Sequence, residues 1–151
     1  MIHQGLADYR AVGAELHRPY FLSLLAGAYE KVGQPEEGLT VLVEALTTVD
    51  NTGERHWESE LHRQKGELLL KQQGQKVVEA EECFRKALDT ARRQQAKSLE
   101  LRAAMSLTRL WQQQGNQEKA RQMLADIYGW FTEGFDTADL KEAKVLLEEL
   151  A

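Results

Sequence analysis

The chain carries the same helical pattern three times, and this repeat constrains its fold more than any other feature. The first helix of each unit has a small residue at an equivalent point, namely Ala26, Gly66 and Thr108, at spacings of 40 and 42 residues. The second helix of each unit has another, namely Gly38, Ala80 and Ala120, at spacings of 42 and 40 residues. Self-similarity at this period predicts stacked helix pairs, each burying its apolar side against its neighbours.

The length of the repeat fits more than one class of helical repeat, and the residues inside it distinguish between these classes. A unit of about 41 residues is longer than the tetratricopeptide repeat of about 34 and overlaps the HEAT range. A small residue followed three positions later by a large one, with a small-x-x-x-large-x-x-small second helix, favours the tetratricopeptide class. Gly38, Lys65 and Ile127 depart from that pattern. We therefore predict an all-α, tetratricopeptide-like right-handed helical-hairpin solenoid, folded as one domain over residues 1–151.

Glycines divide the periodic segments and set the predicted boundaries. The three repeats are expected at about 16–50, 55–93 and 97–132, with helices over 16–32, 35–50, 55–73, 76–93, 97–114 and 117–132. Gly33, Gly74 and Gly115 lie at the breaks, where a left-handed helix end requires glycine. A capping helix is expected over about 137–150, begun by Asp136 or Thr137, with its apolar side formed by Leu140, Ala143, Leu147 and Leu150. The pattern predicts seven or eight helices and no sheet.

The N-terminal residues resemble part of a fourth unit. Gly5 and Leu6 lie forty residues before Ala45 and Leu46, so residues 2–12 are expected to be the second helix of a partial repeat over 1–13. The chain is then interpreted as the C-terminal piece of a longer array, the alternative being a truncated or short reading frame. Because an apolar stripe would lack its preceding helix, we expect the excised chain to form a homodimer through this edge. The stripe consists of Ile2, Leu6, Tyr9 and Val12.

Composition narrows the possible partners and compartments. The net charge is −5 and the basic residues are scattered, which argues against a direct nucleic-acid partner. Cys83 is the one cysteine, so it cannot form an internal disulfide, and we expect it to be buried. No apolar run reaches the ~20 residues of a membrane helix, and the start of the chain lacks a signal-peptide pattern. These observations predict a cytoplasmic protein with no membrane partner.

The sequence contains no recognisable catalytic motif. His56 and His62 are six residues apart, which places them on different sides of a helix, and no metal-ligand spacing accompanies them. The glycines at the breaks are isolated and form no phosphate-binding loop, and the serines lack a strand-to-helix elbow. We expect no enzyme activity, no catalytic residue, no cofactor and no metal. The tryptophans are expected to be packing residues, namely Trp57, Trp111 and Trp130.

A binding surface is expected on the concave side, which the first helices of such arrays line. Arginines on this side could pair with the carboxylates of an extended peptide, because guanidinium offers forked donors. The alternative is an ordinary solvated helix face. The candidates in register are Tyr20, Ser23, Gly27, Glu30, Arg63, Glu67, Leu70, Arg102, Met105, Arg109 and Gln112.

Three segments together resemble a known group of proteins. They are Gly13–Pro19, Lys97–Ala104 and the closing Trp130–Leu140. They are similar to the C-terminal tetratricopeptide region of large bacterial multidomain signalling proteins, in which a nucleotide cyclase or a DNA-binding domain precedes an ATPase module. The resemblance implies a non-enzymatic interaction, sensor or scaffold module of a signalling ATPase or cyclase. The alternative that it implies is the ligand-sensing repeat region of a LuxR-type transcription regulator whose DNA-binding domain lies outside this chain.

Overall fold

The computed structural model describes residues 18–72, 74 and 76–151, and the regular structure in these residues is helical, with no strand among them. The helices are α1 Arg18–Lys31, α2 Pro35–Thr52, α3 Glu58–Lys71, α4 Val77–Arg93, α5 Lys97–Gln113, α6 Gln117–Tyr128 and α7 Ala138–Leu150. The all-α prediction is thereby confirmed. The predicted partial repeat at 1–13 and its stripe of Ile2, Leu6, Tyr9 and Val12 lie outside the described residues.

The predicted glycine breaks are confirmed by their backbone angles. Gly33, Gly74 and Gly115 have φ values of 76°, 88° and 83°, the left-handed region that favours glycine. Helix α3 itself ends before Gly74, at Lys71, where the extended Gln72 follows. After α5, the N–H of Asn116 donates to the carbonyl of Trp111 at 2.9 Å, which closes the helix end. The break after α4 uses a different residue, because Gln95 adopts φ 56° there.

Helix α6 is shorter than predicted. It ends at Tyr128 rather than at 132, because the N–H groups of Trp130 and Phe131 bond back only three residues, to Ile127 and Tyr128. Such bonds tighten the last turn and stop the helix. Trp130 consequently lies in the following loop and is 57% exposed, so its prediction as a packing residue was wrong.

The start of α3 and the packing of α7 also differ from the sequence prediction. Helix α3 begins at Glu58 rather than at 55, after the left-handed Gly53 that ends α2. In α7 the buried side includes Leu146, while Leu147 is only partly buried. Thr137 precedes α7, but its side chain makes no capping hydrogen bond.

Helix α3 joins two hydrophobic clusters that form the core. Leu61 and Leu68 of α3 pack with α1 and α2, whereas Leu69 packs with α4 and the helices that follow. Cys83 of α4 lies in the second cluster and is buried, as predicted. Burial raises the pKa of its thiol, which keeps the thiolate form scarce.

Small residues allow close helix contact at the positions that the repeat marked. Ala80 and Ala120 are fully buried. At Gly66, a Cβ atom would lie 2.5 Å from Cε1 of the fully buried Phe84, so no larger residue fits without movement. The close approach of α3 to α4 therefore depends on glycine at this position.

Each helix contacts the next one in the chain, and a second set of contacts links alternate helices. The alternate pairs are α1 with α3, α3 with α5, and α5 with α7. These four helices thus lie side by side, which places their equivalent residues on one surface. Within the part of the chain that the structure describes, no helix is long and apolar enough to cross a membrane.

Candidate interaction face

The surface shared by α1, α3, α5 and α7 is referred to as the odd-helix face. Polar side chains on this face bond from one odd-numbered helix to the next. The bonded pairs are Ser23 with Gln64, Glu30 with Lys71, Arg63 with Ser106, Glu60 with Arg102, Arg102 with Asp139, and Arg109 with Glu142. Each pair joins two positions that lie about one repeat length apart or at the junction with α7.

The α1 end of the odd-helix face carries a groove with an aromatic wall. The rings of Tyr20 and Trp57 lie 5.0 Å apart between centroids, at an interplanar angle of 39°. Leu24 and Lys31 line the α1 side of this groove, and Arg102 lies at its α5 side. Apolar surface, an aromatic pair and cationic groups therefore meet in one concave site.

The floor of the groove is fixed by a reciprocal pair of hydrogen bonds. The hydroxyl of Ser23 donates to Oε1 of Gln64 at 2.6 Å, and Nε2 of Gln64 donates to the Ser23 carbonyl at 3.1 Å. A Cβ atom at Gly27 would lie 3.9 Å from Nε2, an ordinary van der Waals contact, so the amide does not require glycine at this position. Ser23 is only 8% exposed, so it shapes the groove rather than offering a free hydroxyl.

Glu60 holds the centre of the odd-helix face together. Its carboxylate is 7% exposed and accepts hydrogen bonds from Nε and Nη2 of Arg63 on the same helix. It also accepts one from Nη1 of Arg102 on α5, at 3.1 Å. A buried carboxylate is costly unless charged donors compensate it, and two guanidinium groups do so here.

Arg102 connects three helices. Its Nε donates to Oδ2 of Asp139 on α7 at 2.8 Å, while its Nη1 reaches Glu60 on α3. The hydrogen bond to Asp139 raises the pKa of the guanidinium, with Glu60 adding to the effect and partial burial opposing it. Because its side chain is 43% exposed, Arg102 keeps a surface toward the groove while being held in place.

The remaining predicted residues occupy different environments. Arg109 donates to Glu142 at 3.2 Å, and Glu67 lies 3.8 Å from Arg63. Met105 is 3% exposed and belongs to the core cluster, since α5 is packed by α3 on one side and α7 on the other. Leu70 and Gln112 are partly buried. The structure thus brings Tyr20, Ser23, Gly27 and Arg102 together at one groove and places Met105 beneath the surface.

Sequence reasoning missed Glu60, Gln64 and Trp57, which contribute as much to the site as the predicted residues. A signal for Glu60 was present, because it lies 40 residues after Tyr20 and 42 before Arg102. These three residues occupy the same point of successive repeats. Opposite charges at equivalent points of adjacent first helices predict an ion pair between them.

Among the described residues, His56 and His62 have separate contacts. His56 is exposed before α3 and packs edge-on against Trp57 at 5.5 Å, whereas His62 lies within α3, 4.0 Å from a carboxylate oxygen of Glu58. Burial lowers the pKa of His62, against the opposing effect of Glu58. Among the described residues, no group of three or more histidine, cysteine or acidic side chains is arranged to hold a metal ion.

Comparison of the chain with protein-family models and with curated proteins finds no match.

Proposed function

We propose that this chain is a helical-repeat interaction module of the tetratricopeptide-like solenoid class, which binds a peptide segment of a partner protein in the groove of the odd-helix face. The observation that carries the proposal is the grouping of Tyr20, Trp57 and Arg102 around one concave site. Aromatic and arginine side chains are the types that most often dominate binding energy at protein interfaces.

The polar bonding of the face supports a binding role. Arg102 is fixed by Glu60 and Asp139, so little side-chain entropy is lost when a partner contacts it. The aromatic wall offers apolar surface beside that cation. A partner with an apolar side chain next to an acceptor group matches this arrangement. The predicted role of Arg63 and Arg109 with an external carboxylate stays a prediction, since both are paired with acidic residues of the chain itself.

The order of the contacts between helices supports the solenoid class that we propose. Each helix packs on the next, and each odd helix packs on the next odd helix. Stacked repeats give this order because each unit contacts only its neighbours. The resemblance to bacterial signalling proteins adds a setting for such a module, with the cyclase or ATPase parent preferred and the LuxR-type regulator as the alternative.

The test is selection of binding peptides from a random peptide library displayed on phage, followed by calorimetric titration of the enriched peptides. We expect Tyr20→Ala and Arg102→Ala to weaken binding by about tenfold or more each, as for central interface residues. Arg121→Ala is the matched control, because Arg121 has a similar exposure of 41% and an ion pair with Glu118 on α6. Enriched peptides that bind the Tyr20→Ala and Arg102→Ala variants as tightly as the parent would contradict the proposal, as would a library that yields none.

A further inference from the structure

A second concave site lies where the loop after α6 approaches the turn between α4 and α5, and it is referred to as the Trp130 site. None of its lining residues lines the groove of the odd-helix face. The lining residues are Arg92, Gln95, Lys97, Glu100 and Trp130. Trp130 is exposed, and its ring makes an edge contact with Phe131, which packs against the core. The site therefore offers an indole surface on a supported base.

A buried carboxylate positions both cations of the Trp130 site. Glu100 is 4% exposed, and its Oε2 accepts a hydrogen bond from Nε of Arg92 at 3.0 Å. Its Oε1 lies 3.2 Å from Nζ of Lys97, and the same Nζ lies 5.2 Å from the centroid of the Trp130 ring. Two cations and one carboxylate leave the site with a net positive charge beside its aromatic surface.

The guanidinium of Arg92 keeps donors for a partner. In the part of the chain that the structure describes, its Nε makes a hydrogen bond, whereas its Nη1 and Nη2 make none. The side chain is 49% exposed, so this pair of nitrogens can meet the two oxygens of a carboxylate. Because Glu100 already holds the guanidinium, little side-chain entropy is lost when a partner binds.

The turn between α4 and α5 keeps a strained residue at this site. Gln95 has φ 56°, whereas every other described residue with a positive φ is a glycine. Glycine would adopt this conformation without steric cost, and such strain is concentrated at functional sites. The glutamine places an amide at the edge of the site, where it can bond to the main chain of a partner.

We propose that the Trp130 site binds an acidic segment of a partner protein. An aspartate or glutamate carboxylate of that segment pairs with Arg92 and Lys97, and a neighbouring apolar side chain packs on Trp130. Charge complementarity favours this occupant, since the net charge of the site is positive. A nucleic acid fits less well, because its phosphates would lie beside Glu100 and the whole chain carries a net charge of −5. This inference is independent of the proposed peptide groove.

A random peptide library displayed on phage and selected on the full chain provides the probes. Among the enriched peptides, we expect a set that carries aspartate or glutamate beside an apolar residue. Arg92→Ala and Trp130→Ala should each weaken the binding of this set by about tenfold or more in calorimetric titrations. Tyr20→Ala, in the groove, should leave it unchanged. The matched controls are Arg121→Ala and Phe135→Ala, whose side chains are 41% and 44% exposed and do not line the site.

Gln95→Gly separates binding from folding. Because glycine relieves the strain, the melting temperature should stay the same or rise. The affinity for the acidic peptides should nevertheless fall by about threefold, the scale of one lost hydrogen bond. An unchanged affinity in this variant would contradict the part of the proposal that concerns Gln95.

Three outcomes would overturn the whole proposal. The first is a library in which no enriched acidic peptide loses affinity in Arg92→Ala and Trp130→Ala, whatever the peptides of the groove do in Tyr20→Ala. The second is an oligodeoxythymidine that binds more tightly than the peptides and depends on Trp130, which would assign the site to nucleic acid. The third is a wild-type dimer in sedimentation that Trp130→Ala converts to a monomer, which would assign it to a second copy of the chain.

Discussion

Helix α3 packs on its two neighbouring regions in opposite ways. Toward α4 it uses an apolar contact with no spare room, in which Gly66 lies against the ring of Phe84. Toward α1 and α5 it adds polar bonds to its apolar packing, between Gln64 and Ser23 and between Arg102 and Glu60. The contact within a repeat therefore has no room for added side-chain volume. The contacts between first helices depend in addition on the pairing of buried polar groups. The two kinds of contact should respond differently to substitution.

The largest effect is expected where volume is limiting. Gly66→Ala should lower the free energy of unfolding by about 2–3 kcal/mol, because its methyl group would meet a rigid buried ring and overpack the contact. The control is Gly27→Ala, also in a first helix, where the nearest atom would be Gln64 Nε2 at 3.9 Å. That substitution should be neutral or stabilise by up to about 1 kcal/mol through helix propensity. Urea denaturation of both variants measures the difference, and equal losses would show that volume does not limit the α3–α4 contact.

A smaller effect is expected where polar pairing is limiting. Glu60→Gln should cost about 1–2 kcal/mol, because it removes the charge that compensates Arg63 and Arg102, with the half-exposed Arg102 partly screened by water. Glu118→Gln on α6 removes an exposed pair with Arg121 and should leave the melting temperature unchanged. Thermal melts of the two variants provide the comparison. If both melt at the wild-type temperature, the buried carboxylate does not stabilise the odd-helix face.

Thr108 combines features of both kinds of contact. It occupies the point of the third repeat that Gly66 occupies in the second, and its hydroxyl is fully buried with no hydrogen-bond partner. Thr108→Val should stabilise the chain by about 1 kcal/mol, since an unpaired buried hydroxyl is lost while the shape is retained. Thr48→Val is the control, because the Thr48 hydroxyl donates to the Glu44 carbonyl at 2.9 Å. Denaturation curves should show a gain only at position 108, and a loss there would indicate that the hydroxyl is paired.

The smallest effect is expected from His62, on the side of α3 where Lys65, Lys86, Glu58 and Asp50 surround it. Burial lowers its folded-state pKa below the ordinary 6.5, so the unfolded chain binds more protons as the pH falls. Stability should therefore decrease as the pH falls through 6.5 and level off below the folded-state pKa.

Melting temperatures measured between pH 7.5 and 5.5 test this linkage. His62→Gln should lose less stability over that range than the wild type. The exposed His56→Gln should behave like the wild type. If His56→Gln reduces the pH dependence of the melting temperature as much as His62→Gln does, the dependence belongs to groups other than His62.

The sequence predicted the helices better than the residues of the odd-helix face. Gly33 and Gly115 could be placed because a left-handed helix end depends on one residue and its immediate neighbours. The end of α6 could not, because the apolar Trp130 and Phe131 continue the helical pattern although their N–H groups bond back only three residues. The spacing of these two residues is compatible with a longer α6 or with a loop. The contacts of the segment after Tyr128 decide between the two.

The candidate site was predicted only in part, for a related reason. Tyr20 and Arg102 follow from the repeat register, since equivalent points of first helices share one side of the array. The burial of Met105 does not follow, because it depends on α3 and α7 covering both sides of α5. The double pairing of Glu60 also depends on how far the Arg102 side chain reaches from α5 to α3.

The sequence by itself determined an all-helical chain, a repeat of about 41 residues, the glycine breaks and the small residues at close contacts. These properties depend on neighbouring residues or on a regular period, which a linear pattern records. Only the tertiary structure decided which polar side chains pair across α1, α3, α5 and α7, and which surface stays open at the groove. Pairing and exposure depend on distances between residues some 40 positions apart, which are set by the packing of complete helices rather than by any one segment.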